Sequence, residues 1–519
     1  MTSASINMIK SMSISPGTPS SSSSSSSSFS SLSSPPPSPP PASSQSLSTS
    51  SSSPPLSTTL PLRTIPGSHG WPLLGPISDR INYFWFQGPE TFFRKRIEKH
   101  KSTVFRTNVP PTWPLFLGVN PNVVAVLDCK SFAHMFDMEI VEKRNVLVGD
   151  FMPSVKYTGD IRTCAYLDTS EPKHAQIKNF AIDILKRSSK VWVTELVSDL
   201  GTLFDTIDTQ IAENGSSSYL LPLQKCLFSF LSKSILGAEP KSDPKIAKSG
   251  YAMIDRWLAL MLLPTIKIGL LQPLEELFLH SFQYPFFLVS GDYKNLYNFI
   301  ENEAKEVVER GQTEFGLTKE ETIHNLLFVL GFNSFGGFSI FLPTLLNRIA
   351  SDKTGLQKKL REEVKRNCGS TSLSFDSVKN LPLVQSVVYE ALRLSPPVPL
   401  QYARARKDFQ LSSHDSVYDI KKGELLCGYQ PLVMRDSKVF DDPESFKPDR
   451  FMGDKGSELL NYLYWSNGPQ TGSPTGSNKQ CAAKDTVTLT ASLMVAYVFQ
   501  RYESITGTSS SITAVEKAI

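Results

Sequence analysis

Acidic residues are missing from the first 78 positions, and Lys10 is the only charged side chain before Leu60. Cysteine is scarce and scattered: Cys129, Cys164, Cys226, Cys368, Cys427 and Cys481 form no C-x-x-C pair. That excludes a disulfide scaffold and a zinc ribbon, and a reducing compartment is the simpler reading. The charge balance is nearly even, 53 Lys+Arg against 49 Asp+Glu for a net +4, too little for a nucleic-acid binder driven by phosphate contacts. Long hydrophobic runs are also wanting. No stretch of about 20 apolar residues is read, so no transmembrane helix is expected. The best candidate, Trp257–Leu271, is broken by Pro264 and Lys267, and any membrane contact is expected to be peripheral. No secretory apolar stretch stands near the start, and no G-x-S-x-G elbow supports a serine hydrolase.

What is present divides at about residue 60. Ser20–Ser28 is unbroken serine and Pro35–Pro41 is nearly all proline. Such a segment cannot bury enough apolar surface to offset its chain entropy, so residues 1–60 are expected to be disordered. A Ser-rich, acid-free start reads as a plastid transit-like segment, with an untargeted low-complexity tail as the other reading. Residues 61–519 show no second linker and no repeat, and read as one long domain. Pro89 opens a helix expected to run through Lys101. Strands are expected at Ser102–Asn108, Asn122–Leu127 and around residues 400–430. Helices dominate from about residue 170, including Leu356–Arg366, Asp376–Leu394 and Asp485–Arg501. The fold class is mainly α with a small β part, α+β.

Four features carry chemistry. Glu390-Ala391-Leu392-Arg393 puts an acid and a base at i, i+3 on one helix face, where they can pair. Lys447-Pro448-Asp449-Arg450-Phe451 offers a second arginine, Arg450, which could join that pair in space. Cys481 stands just before an apolar helix, where free N–H groups and the helix dipole favour a thiolate; a lone cysteine there is otherwise a small hydrophobe. Glu321–Leu342 is a long central segment holding Leu330-Gly331-Phe332-Asn333-Ser334-Phe335-Gly336-Gly337-Phe338. None of these decides a function alone.

In this order, E-x-x-R, P-x-R-F and a cysteine before the last long helix resemble the cytochrome P-450 superfamily. The resemblance implies a single haem domain of the cytochrome P-450 fold, with haem b iron ligated by the thiolate of Cys481. An oxygen-activating monooxygenase of that superfamily carries an acid followed by Thr in the helix over the haem; this chain has Asn333 in a run of Gly and Phe. The haem segment departs similarly, with Pro474 and Ala483 where Phe and Gly are usual and a lengthened Gln470–Asn478 loop. Those departures, with Trp71-Pro72-Leu73-Leu74-Gly75-Pro76, Tyr83-Phe84-Trp85-Phe86-Gln87-Gly88, Glu171-Pro172-Lys173-His174 and Trp465-Ser466-Asn467-Gly468-Pro469, resemble the plant subfamily that rearranges fatty acid hydroperoxides: allene oxide synthases, divinyl ether synthases and hydroperoxide lyases.

That resemblance implies the site roles residue by residue. Lys143, His174, Lys178 and Lys479 match basic contacts to the haem propionates, His174 and Lys178 lying at i, i+4 on a helix. Asn333 matches a distal amide that holds the peroxide over the iron. Leu147 stands where allene oxide synthases carry an aromatic and lyases an aliphatic residue, which points to the lyase branch. Ser334 departs from the small apolar residue common there in lyases. The implied reaction cleaves 13-hydroperoxides of linoleic or linolenic acid through a hemiacetal into a six-carbon aldehyde and a twelve-carbon oxo acid. Neither dioxygen, NADPH nor a reductase would be needed. Nucleic acid is not an expected partner, and peripheral contact with a plastid membrane is possible. Allene oxide or divinyl ether synthesis on the same fold, a monooxygenase, and a non-catalytic haem or lipid binder are the alternatives.

Overall fold

A computed structural model describes residues 60–110, 116, 118–266, 274–369 and 371–518. Residues 1–59 of the expected disordered tail, 1–60, and the end of the Trp257–Leu271 stretch lie outside the described residues.

The helices relevant to the site are α1 (Leu74–Ile81), α2 (Pro89–His100), α3 (Pro172–Asn214), α4 (Leu220–Leu231), α5 (Pro244–Leu262), α6 (Ser290–Glu303), α7 (Lys319–Ala350), α8 (Leu356–Asn367), α9 (Pro382–Leu394) and α10 (Lys484–Arg501). Proline opens α2, α3, α5 and α9, where a missing N–H costs nothing and a fixed φ starts the turn. The expected helix over Asp376–Leu394 is in fact two, Phe375–Lys379 and α9, because Pro382 begins a new helix after Leu381.

The β part is small. Strands β1 (Val104–Asn108), β2 (Asn122–Val126), β3 (Val141–Glu142), β5 (Leu400–Ala405) and β8 (Leu425–Tyr429) form one sheet in the order β1-β2-β8-β5-β3. β6 (Phe409–Ser412) pairs with β7 (Val417–Ile420). A C-terminal hairpin of β9 (Tyr502–Gly507) and β10 (Ser511–Lys517) adds the short β4 (Ser217–Ser218) at its edge. The sheet and its flanking α2 form a second, smaller cluster of buried apolar residues beside the main helical core. This mainly helical architecture with a small β part agrees with the expected fold class.

The central helix α7 runs from a capping box at Thr318 and Glu321 to Ala350. By length and mean hydropathy alone it would pass for a membrane span, but 61% of its most apolar stretch is buried inside the protein. Apolarity on all sides marks a core helix here. Its middle, Val329–Gly336, is π-helical, a widening that often accompanies function.

Candidate active site

Cys481 lies three residues before α10, its N–H donating to Ser466 O at 2.8 Å. Burial pushes its thiol up, while the Lys178 ammonium, the Ala483 N–H and Lys484 act in the opposite direction. A thiol with these neighbours is set up to become a thiolate once a cation sits on the sulfur.

Four basic side chains touch or belong to the segment Asn467–Gln480 that leads into it. Lys143 is 4% exposed, donates to the Asn467 side-chain oxygen and is pulled down to about 7 by burial and by Lys479. Lys178, on α3, is 6% exposed and donates to Gln480 O. Lys479 donates to Cys164 O at 2.9 Å and Leu167 O at 2.8 Å, and burial draws it down to about 8. His174, one turn before Lys178, is fully buried; its Nδ1 lies 3.1 Å from Gly476 O and its Nε2 has no partner among the described residues. Burial, then Lys479 and Lys178, lower His174 to about 4. No carboxylate forms an ion pair with any of these three lysines among the described residues. The nearest acids are committed elsewhere, Asp168 to Arg406 at 2.7 Å and Glu171 to Arg162 at 2.6 Å.

Buried cations without counter-ions are costly unless an anion joins them. A dianionic porphyrin edge beside a thiolate meets that requirement, so the donor set fits haem. The unpartnered Nε2 of His174 is a further polar atom that such an anion would satisfy once the ring is protonated.

The structure brings the other expected group together as well. Arg393 Nε and Nη2 each lie 2.7 Å from the Glu390 carboxylate, and Arg450 Nε lies 3.0 and 3.1 Å from its two oxygens. Arg393 also donates to Met434 O and Pro443 O, and Arg450 to Asp441 O. This network pins α9 to the chain running down towards Cys481.

Asn333 is exposed, sits in the π-helical turn and makes no hydrogen bond with a described residue. Leu147 is half-buried in the turn after β3 and packs on the main core. Asn467 is the residue that sequence reasoning passed over. At φ 61 it holds Lys143 by its oxygen and Lys479 O by its amide at 2.9 Å. Asparagine tolerates that left-handed backbone, and its presence in the quoted Trp465–Pro469 motif was the available signal.

Fold, thiol and cation cluster together define a haem-thiolate enzyme. A profile described as "Cytochrome P450" matches residues 139–470, and the chain belongs to that family, with haem iron on a thiolate as its cofactor. The profile match ends at Gln470, where the lengthened loop before Cys481 begins. The chain is similar to "Fatty acid hydroperoxide lyase, chloroplastic" of Solanum lycopersicum, 68% identical over 89% of this chain and 97% of that protein. It is also similar to "Linolenate hydroperoxide lyase, chloroplastic" of Arabidopsis thaliana, 63% identical over 88% of this chain and 94% of that protein. "Allene oxide synthase, chloroplastic" of Linum usitatissimum is 41% identical over 87% of this chain and 85% of that protein.

Proposed function

We infer that this chain is a chloroplast fatty acid hydroperoxide lyase. It cleaves 13-hydroperoxides of linoleic and linolenic acid into a six-carbon aldehyde and a twelve-carbon oxo acid, a step of oxylipin formation. The observation that carries the reading is the gap between 68% identity to a lyase and 41% to an allene oxide synthase over similar spans.

Cys481 is the iron ligand in this reading, with Lys143, His174, Lys178 and Lys479 on the propionates, in a catalytic domain spanning residues 61–519. The haem supplies homolytic O–O cleavage when bound. The chain's residues do the rest. The unshared amide of Asn333 donates to the peroxide oxygens and holds them at the site. The turn Val329–Gly336 carries no carboxylate, so no acid of that turn feeds protons to the oxygens. The substrate brings its own O–O bond, so no reductase is required. Leu147 offers the substrate carbon radical no aromatic face, which favours hydroxyl return and C–C scission over oxidation to a cation.

A peripheral membrane contact fits one face. Trp71 (79% exposed) and Phe86 (67%) lie about α1, Phe287 (73%) in the segment before α6. Arg80 donates to Ser281 at 3.0 Å and Phe84 stacks on His280 at 3.9 Å, joining α1 to that segment. Exposed aromatics of this kind suit the interface of a bilayer.

The test is anaerobic turnover without NADPH. Holoenzyme mixed with 13-hydroperoxy-linolenic acid is expected to give hexenal and the twelve-carbon oxo acid, and Leu147→Phe to move products towards the ketol of an allene oxide. A ketol or divinyl ether from the unaltered chain would overturn the lyase assignment. A requirement for NADPH and dioxygen would return it to the monooxygenases.

A further inference from the structure

A file of oxidisable rings leads away from the central helix. Trp257, fully buried on α5, packs against Gly331, two residues before Asn333; a Cβ at Gly331 would stand 2.5 Å from its ring. Its indole N–H donates to Tyr157 O at 2.9 Å, which fixes the ring. Tyr293 of α6 follows, with ring centroids 5.7 Å apart. The Tyr293 hydroxyl is 2.8 Å from Nδ1 of His324, two turns before Gly331 on α7. The His324 ring is 5.0 Å from that of Tyr297, which is half-buried at the outer face of α6. The central helix itself presents rings of a different kind, Phe328, Phe332, Phe335 and Phe338, which are much harder to oxidise.

Packing alone calls for ring volume, and phenylalanine supplies it. A buried phenol bonded to an imidazole adds something specific. A phenol that loses an electron becomes a strong acid, so its proton must leave with the electron, and a hydrogen-bonded base makes that transfer short. Burial lowers His324 and raises Tyr293, so at neutral pH the pair rests as neutral imidazole and neutral phenol.

We propose that Trp257, Tyr293, His324 and Tyr297 form a proton-coupled electron relay that quenches oxygen-centred substrate radicals escaping reaction beside Asn333. It rests on the proposed hydroperoxide chemistry, which supplies the oxidant. One electron passes from Tyr293 through Trp257 to an oxygen-centred radical of the substrate. The radical becomes an alkoxide and takes a proton from water, giving an O–H bond and a hydroxide that the proton released by His324 or by the reductant neutralises. The Tyr293 O–H bond breaks, and its proton moves to Nδ1 of His324 in the tautomer that keeps its hydrogen on Nε2. The neutral tyrosyl radical is refilled through Tyr297 by a small one-electron reductant of the ascorbate class. That reductant gives up one electron and one proton; His324 returns its own proton to Tyr293 or to solvent.

The test is freeze-quench electron paramagnetic resonance of holoenzyme mixed with 13-hydroperoxy-linoleic acid, with aldehyde yield and turnovers before inactivation counted on the same samples. A tyrosyl signal that narrows on ring-deuterated tyrosine is expected, removed in Tyr293→Phe, with the initial aldehyde rate unchanged and turnovers before inactivation falling severalfold. Tyr297→Phe is expected to keep the signal and slow its decay by ascorbate. No tyrosyl signal in the unaltered chain, or a signal and inactivation unchanged in Tyr293→Phe, overturns the relay. Cumene hydroperoxide as a second oxidant separates the two readings: loss of aldehyde chemistry with the natural substrate sinks the proposed function, whereas the cumene samples still decide the relay.

Discussion

Replacing Glu390 by Gln removes one negative charge from a side chain that is 0% exposed and faces two arginines, themselves 0% and 4% exposed. The carboxylate accepts from Arg393 Nε and Nη2, from Arg450 Nε and from Lys447 N. Glutamine keeps one acceptor oxygen and turns an amide donor towards guanidinium donors. Both arginines then keep their charge without a counter-ion. Breaking a buried pair from one side costs about 3–5 kcal/mol, whereas an exposed pair is worth at most about 1 kcal/mol. The carbonyl partners of Arg393, Met434 O at 2.8 Å and Pro443 O at 2.7 Å, remain and set the loss towards the lower end of that range. Guanidinium unfolding of the haem-loaded protein, followed by the Soret band and far-ultraviolet dichroism together, measures it. A double-mutant cycle with Arg393→Met should show the two changes costing less together than their sum, because the second removes the charge that the first leaves unpaired. A loss for Glu390→Gln below about 1 kcal/mol would refute the argument, since the network would then be behaving as a solvated surface pair.

Asn333→Ala should lower turnover by about 10²–10³-fold while leaving the Soret spectrum unchanged, as expected for loss of one donor aimed at the reacting oxygens; stopped-flow loss of diene absorbance reads it. Lys143→Met should weaken haem retention by roughly 10–100-fold, the usual effect of removing a supporting partner, measured by haem transfer to apomyoglobin. Stability should fall steeply in acid. Burial alone would raise Asp168, but hydrogen bonds from Ser170 and Arg406 and from backbone N–H groups outweigh it and hold its carboxyl well below the usual range; Arg162 does the same for Glu171. A carboxyl lowered in the folded state contributes above its unfolded value near pH 4 and loses that contribution as pH drops through the folded value. Acid titration by dichroism should therefore show a transition below about pH 4 that Asp168→Asn makes shallower.

The sequence made the helix start at Pro89 legible, since proline at a first turn has one backbone meaning. The break before Pro382 was overlooked because the apolar spacing continues across it. The pairing of Glu390 with Arg393 is local and readable; Arg450 reaches it from 60 residues away, a contact that no helix spacing dictates. The Lys143–Asn467 contact joins positions 324 apart, beyond any periodicity argument. The C-terminal hairpin was missed because its strands, Tyr502–Gly507 and Ser511–Lys517, bury few of their residues and so lack an apolar run. The central helix failed the opposite way. Its Gly and Phe residues were read for chemistry, and its length as a buried apolar rod went unremarked.

The cation cluster also governs supply. Lys143, Lys178 and Lys479 repel one another in the protein interior until a dianion arrives, so chain and cofactor are stable largely as one unit. A chain that meets no haem holds its lysines at a cost and opens more often to proteases. The amount of enzyme an organelle keeps would then track the haem it can spare, with no dedicated sensor, because the same side chains that seat the cofactor set the lifetime of the protein that lacks it.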